Sequence, residues 1–190
     1  MTGTETERAI RPPASGLRNS LHAEIDLAVQ RITLVRELFG VEPAVGSLLV
    51  TEGKWTVRDT ICHLAGYYPA TQVPVQIERL HRLVEEGARG RDEFDIDTAN
   101  EAILRGFDGV DIEEVFDVVL AGRAALRTAI DQLDESFLER PVSGTIWGTN
   151  ATVHTVVAES TSRHDAGHLD EIVEAVMDFD PVLVYQYLQP

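Results

Sequence analysis

Between Leu17 and Phe39 the apolar side chains return at steps of three and four: Leu17, Leu21, Ile25, Ala28, Ile32, Val35 and Phe39. That spacing puts them on one stripe of an α-helix, and Gly40 offers a stop just beyond it. Three later stretches carry the same signature, and no stretch shows the strict apolar/polar alternation of a half-buried strand. Helices with one apolar stripe bury it against other helices. The pattern therefore predicts an all-α fold, a four-helix bundle with helices near residues 15–39, 56–86, 111–134 and 152–177.

Local signals place the boundaries. Thr56 with Asp59 three residues on forms a capping box, followed by Val57, Ile61, Leu64 and Tyr68. Pro69 and Pro74 break or kink this second helix, and its pattern resumes through Val75, Ile77, Leu80 and Leu83 toward Gly87. Residues 88–110 are irregular and charged, with a short helix around Thr98 to Leu104. Their length permits a long crossover connection rather than simple up-down topology. Asp111 with Glu114 makes a second capping box before Val115, Val118, Val119, Gly122, Leu126, Ala129, Ile130 and Leu133. Thr152 caps the last helix, which carries Val153, Val157, His164, His168, Ile172 and Ala175. The start of that helix faintly echoes the second: Trp55-Thr56-Val57 against Trp147 and Thr152-Val153. The tail from Pro181 to Leu188 is apolar enough to dock. Residues 1–14 are polar, have no apolar period and contain Pro12 and Pro13; they are read as a flexible leader before a single domain spanning 15–190.

Charge narrows the partners. The chain has 32 acidic against 16 basic side chains, a net charge of -16. A polyanion is repelled by phosphate backbones and anionic lipid, so neither nucleic acid nor membrane is an expected partner. No apolar run approaches the roughly 18–20 residues of a membrane span. The lone cysteine, Cys62, cannot form an internal disulfide and fits a reducing cytoplasm; it reads as a small core residue.

Chemistry is concentrated in histidine. RHDAGHLDEI places His164 and His168 four apart, one above the other on a helix face. Two imidazoles so placed can grip one ion, and they can equally be two surface histidines. His63 sits in apolar company between Cys62 and Leu64. There it is either a satisfied structural histidine or a ligand. His154 lies roughly 15–21 Å along the axis from the pair if the last helix is continuous. His22 borders the first stripe, and His81, among Arg79, Arg82 and Glu85, reads as solvated surface.

WTVRDTICHLAGY, taken with RHDAGHLDEI, resembles the DinB/YfiT-like superfamily of four-helix-bundle metalloenzymes. DFDIDTANEAI and DIEEVFDVVLAGRAALRTAIDQL are similar to the branch that includes the N-terminal domain of mycothiol-dependent maleylpyruvate isomerase. The resemblance runs from about residue 17 to 178. It implies that His63, His164 and His168 hold one divalent metal ion, zinc or nickel being expected. It also implies a small thiol such as mycothiol or bacillithiol as cosubstrate for S-transfer or isomerisation of a small electrophile. Three imidazoles leave open positions, the pattern of a catalytic site. Tyr67 and Asn100 are then candidate substrate-binding residues, with Tyr68 beside them. Asp59, Glu159, Asp165 and Asp170 are candidates to orient the imidazoles. The alternatives are a metal-activated hydrolase or resistance protein, and a non-catalytic binding protein. A homodimer is expected from the frequency of two-fold pairing among helical proteins.

The leader reading has a direct check. Deleting residues 1–13 should leave the melting temperature nearly unchanged, and a large drop would show that these residues pack on the body.

Overall fold

The computed structural model describes residues 16–50, 54–87, 95–143 and 151–189, and its regular elements are helical. They are α1 (Leu17–Val41), α2 (Val57–Tyr67), α3 (Val73–Glu86), α4 (Ile96–Gly106), α5 (Ile112–Asp131), α6 (Glu135–Leu138), α7 (Val153–Ser160), α8 (Ser162–Phe179) and α9 (Pro181–Leu183). Among the described residues the only β-type pairing is two isolated bridges, and no helix is long and apolar enough to cross a membrane. The leader (1–14) and Trp147 lie outside the described residues.

α1 follows its stripe: Leu21, Ile25, Ala28, Ile32, Val35 and Phe39 are all buried. The core has two clusters along the body. One joins the C-terminal half of α1 to α2, the first half of α5, α8 and the tail; the other joins the N-terminal half of α1 to α6, α7 and the end of α5. Ile61 and Leu64 of α2 are completely buried; sealing each from water is worth about 1.5–3 kcal/mol.

The prolines act differently from one another. α2 stops at Tyr67 because Tyr68 precedes Pro69 and is pushed out of helical geometry, to φ -136 and ψ 63. Pro74 breaks nothing. It occupies the first turn of α3, where its missing N–H has no helical partner to lose. The helix expected at 56–86 is thus two helices joined by a 3-10 turn at Ala70–Gln72.

The helix expected over 152–177 is also divided. Thr161 leaves helical geometry, with φ -131 and ψ -93, between α7 and α8. The hydroxyls of Ser160, Thr161 and Ser162 each donate back to carbonyls one turn earlier: Val156, Val157 and Ala158. Such back-bonding competes with the helix ladder and bends it. The capping expectations hold with one amendment. Thr56 and Asp59 form a reciprocal box, and Thr152 accepts from the Thr155 amide. Asp111 caps α5 through the Glu113 amide, without the reciprocal bond from Glu114 among the described residues.

The echo between the two helix starts has a backbone counterpart. Leu49 bridges Thr56, and Pro141 bridges Thr152. The Val57 amide donates to Leu48 O at 2.8 Å, and the Val153 amide to Arg140 O at 3.0 Å. In the return direction Val50 donates to Trp55 O at 3.0 Å and Val142 to Ala151 O at 2.9 Å. Each histidine-bearing arm therefore opens from the same clamp: an incoming extended segment pinned to the residues around an N-cap threonine. The tail docks as expected through Val184 and Leu188, both buried against the first cluster.

Two helix contacts depend on absent side chains. A Cβ on Gly122 of α5 would lie 2.2 Å from the Tyr68 carbonyl oxygen, and one on Gly66 of α2 would lie 2.4 Å from the Ile103 side chain of α4. At Gly122 the obstacle is backbone and cannot rotate away. Gly122→Ala should therefore cost about 1–3 kcal/mol in urea unfolding. Gly167→Ala, on an exposed helix position with nothing within 4 Å, should be neutral or stabilise by up to about 1 kcal/mol. Equal effects from the two would contradict the close approach.

Candidate metal centre

α2 and α8 bring His63, His164 and His168 together. One ring nitrogen from each lies within 4.8 Å of the other two. His63 Nε2 and His164 Nε2 are 3.1 Å apart. The His63 ring centroid is 5.1 Å from that of His164 and 5.0 Å from that of His168. His154, on α7, is not part of this group. His81 is exposed as expected, but its ring stacks on Phe137 at 4.2 Å rather than standing free in solvent.

The helix face is not quite the one expected. The completely buried stripe of α8 is Asp165, Leu169, Ile172 and Val176. His164 and His168 sit on its shoulder, with side chains 22% and 19% exposed, whereas His63 is buried at 3%. The group therefore has a sealed side and a reachable side.

Charge state follows from that burial. Loss of hydration, then the nearness of His164 and His168, pulls His63 from an ordinary 6.5 down to about 3. His168 is lowered by burial first and His164 second, with Glu171 opposing. Neutral imidazoles carry the free lone pair that a metal needs. His168 Nδ1 is 3.1 Å from Glu171 Oε2. With the proton on Nδ1 facing that carboxylate, Nε2 is left as an acceptor. Among the described residues, His63 Nδ1 and His164 Nδ1 are buried without a hydrogen-bond partner. Three closely spaced imidazoles, with a carboxylate fixing the tautomer of one, form a donor set that could hold a divalent ion.

Beneath the histidines lies an ion pair that the sequence reading did not single out. Arg123 of α5 and Asp165 of α8 are 1% and 0% exposed and pair in bidentate fashion, Nε to Oδ2 at 2.5 Å and Nη2 to Oδ1 at 2.7 Å. Arg123 Nη2 also donates to the Leu64 carbonyl at 3.3 Å, one residue from His63. Burial alone would raise the Asp165 carboxyl, but Arg123, and His164 after it, hold it below the ordinary range. His164 Nδ1 lies 3.8 Å from Asp165 Oδ1, beyond hydrogen-bond length but within Coulombic reach. The other three acidic candidates are occupied elsewhere. Asp59 caps Thr56, Glu159 pairs with Arg163 at 2.7 Å, and Asp170 pairs with Arg31 at 2.6 Å.

Aromatic rings enclose the group. Tyr67 stacks on His164 with centroids 4.3 Å apart and planes at 13°. Trp55, just before the start of α2, lies 4.8 Å from His63 and 5.8 Å from His168. Tyr68 Oη is 3.3 Å from Ser160 Oγ, at the hinge between α7 and α8. Asn100 lines a cavity of ≈ 270 Å³ with Lys54, Trp55, Asp97 and Glu101. Trp55 is thus shared by the cavity and the histidine group. Cys62 is buried in the core, and burial raises its thiol, as a packing residue requires.

Two signals could have exposed the ion pair. Arg123 falls on the apolar stripe of α5, four after Val119 and three before Leu126, and Asp165 falls four before Leu169. Opposite charges on two inward stripes call for each other. None of the family models, curated proteins or solved structures compared with this chain matches it.

The lowered histidines set a pH dependence. The folded state keeps His63 and His168 neutral, while the unfolded chain takes up protons below about pH 6.5. Metal-free stability should hold above that pH and fall as pH drops from 6.5 toward 3, by at most about 1.4 kcal/mol per unit for each proton. Urea midpoints at pH 7.5, 6 and 5 measure this, and His63→Asn should flatten the slope. An unchanged slope in that variant would mean that His63 is not held neutral by the fold.

Proposed function

We propose that this chain is a metal-dependent enzyme of the DinB/YfiT-like four-helix-bundle class, acting with a low-molecular-weight thiol of the mycothiol or bacillithiol type on a small electrophile. In this reading α1, α2, α5 and α8 supply the four bundle helices, and the segment through α3 and α4 is the crossover. The observation that carries the proposal is the convergence of three imidazoles, from helices far apart in sequence, within 4.8 Å of one another. A divalent ion such as zinc or nickel on that set keeps open positions and would hold the thiol as its nucleophilic thiolate.

The remaining work belongs to the chain itself. Glu171 holds the His168 proton on Nδ1, which keeps Nε2 available. Arg123 and Asp165 lock α5 to α8 and so fix the direction in which His164 points. Trp55 and Tyr67 cover the rings and exclude water around them. The cavity beyond Trp55, where Asn100 sits, lies beside the histidine group.

Elemental analysis of protein purified without an affinity tag should find one divalent ion per chain. His168→Ala should abolish its uptake with helix content unchanged, since the apolar contacts of α8 do not depend on that ring. Cobalt-loaded protein should gain a sulfur-to-metal absorption band on addition of 2-mercaptoethanol. A wild-type chain that takes up no metal would overturn the reading; metal uptake with no thiol response would remove its thiol half.

A further inference from the structure

We infer that the cavity beside Trp55 is a subsite for an amino-carboxylate, so that the ligand brought to the histidine group carries an ammonium and a carboxylate on one small unit. The inference rests on the proposed function for what lies next door, but the cavity's own residues carry it. Lys54 is the only lysine in the chain, and every other basic side chain is arginine or histidine. In a protein of net charge -16 carboxylates are plentiful; Arg31, Arg36, Arg105, Arg127 and Arg163 pair with acidic side chains, while Arg18, Arg58 and Arg79 donate to uncharged oxygens. Lys54 forms no ion pair among the described residues and lines the cavity instead.

The opposite wall is the first half of α4. Glu101 is already neutralised by Arg105, at 2.7 Å and one helical turn away. Asp97 has no such partner among the described residues, and only its amide is engaged, donating to Asp95. Among the described residues, the cavity is then lined by one cation, Lys54, and one anion, Asp97, without an ion-pair partner. Asn100 adds an amide able both to donate and to accept. The indole of Trp55 adds a π face that favours an ammonium group. A ligand that satisfies all four has both charges itself. A simple anion would meet Asp97, and a simple cation would meet Lys54.

Size agrees with the charge pattern. The cavity, ≈ 270 Å³, falls just short of the roughly 300–1,000 Å³ that hold drug-sized ligands. It suits one amino-acid-like unit rather than a long chain. Its remaining wall is Trp55, whose ring also lies 4.8 Å from that of His63 and 5.8 Å from that of His168. A short side chain on the bound unit is therefore directed past the indole toward the histidines.

The test uses serine, its decarboxylated analogue ethanolamine and its deaminated analogue 3-hydroxypropionate, titrated into the full chain and followed by NMR. Serine should bind about tenfold more tightly than either analogue, the effect expected for one charge-assisted contact. Lys54→Gln should reduce serine to the level of ethanolamine and leave ethanolamine unchanged. Asp97→Asn should reduce serine to the level of 3-hydroxypropionate. Equal binding of the three probes, or equal loss of all three in both variants, would overturn the subsite. Zinc-loaded protein and cysteine separate this from the proposed function. If serine keeps its pattern but cysteine binds no more tightly than serine, the metal–thiol reading fails and the subsite stands. If cysteine gains affinity while serine and its analogues bind alike, the subsite alone fails.

Discussion

The contact on which the site depends is the buried pair between Arg123 and Asp165. Removing two ions from water costs several kcal/mol each, and attraction offsets this only with good geometry. Here the geometry is a two-pronged fork, with a third bond to the Leu64 carbonyl. A hydrophobic pair in the same place would tolerate small rotations of α8, because dispersion is not directional. The fork does not. It fixes α8 against α5 and α2 together, and the histidines of α8 inherit that orientation. One nitrogen, Arg123 Nη1, is buried without a partner among the described residues. The pair is thus a device for position more than a source of net stability.

Glycine completes the same arrangement by subtraction. Gly122 lies next to Arg123, and its missing side chain lets α5 approach the Tyr68 carbonyl at the end of α2. The same helix thus reaches α2 through a hydrogen bond from Arg123 and through a bare backbone surface from Gly122. Both bring α2, and with it His63, to a fixed depth against α8.

Much of this could be read from sequence because periodicity reports burial directly. Leu21, Ile25, Ile32 and Val35 form the inward face of α1 as their spacing requires. Thr56 and Asp59 cap α2 because short polar side chains satisfy exposed amides in a way that hardly depends on the rest of the fold. The three histidines were found by resemblance, and their spacing alone left two readings open. What escaped was either tertiary or subtle. The Thr161 distortion occupies one residue and leaves the apolar period on both sides undisturbed. Pro74 looked like a breaker because a first-turn proline and an interior proline read alike until the helix start is known. Trp55 and Glu171 matter through partners on another helix or through a rotamer, and periodicity is silent about both.

The twin clamps at Leu49–Thr56 and Pro141–Thr152 have a kinetic consequence. Each closes a short loop, so the entropy lost on forming it is small and it can form early. The histidine group instead joins residues 101 positions apart. It exists only after both arms have been built and docked. Local closures of this kind are expected to precede the long-range one, and the group of imidazoles then stands as a signature that the two halves of the chain have found each other.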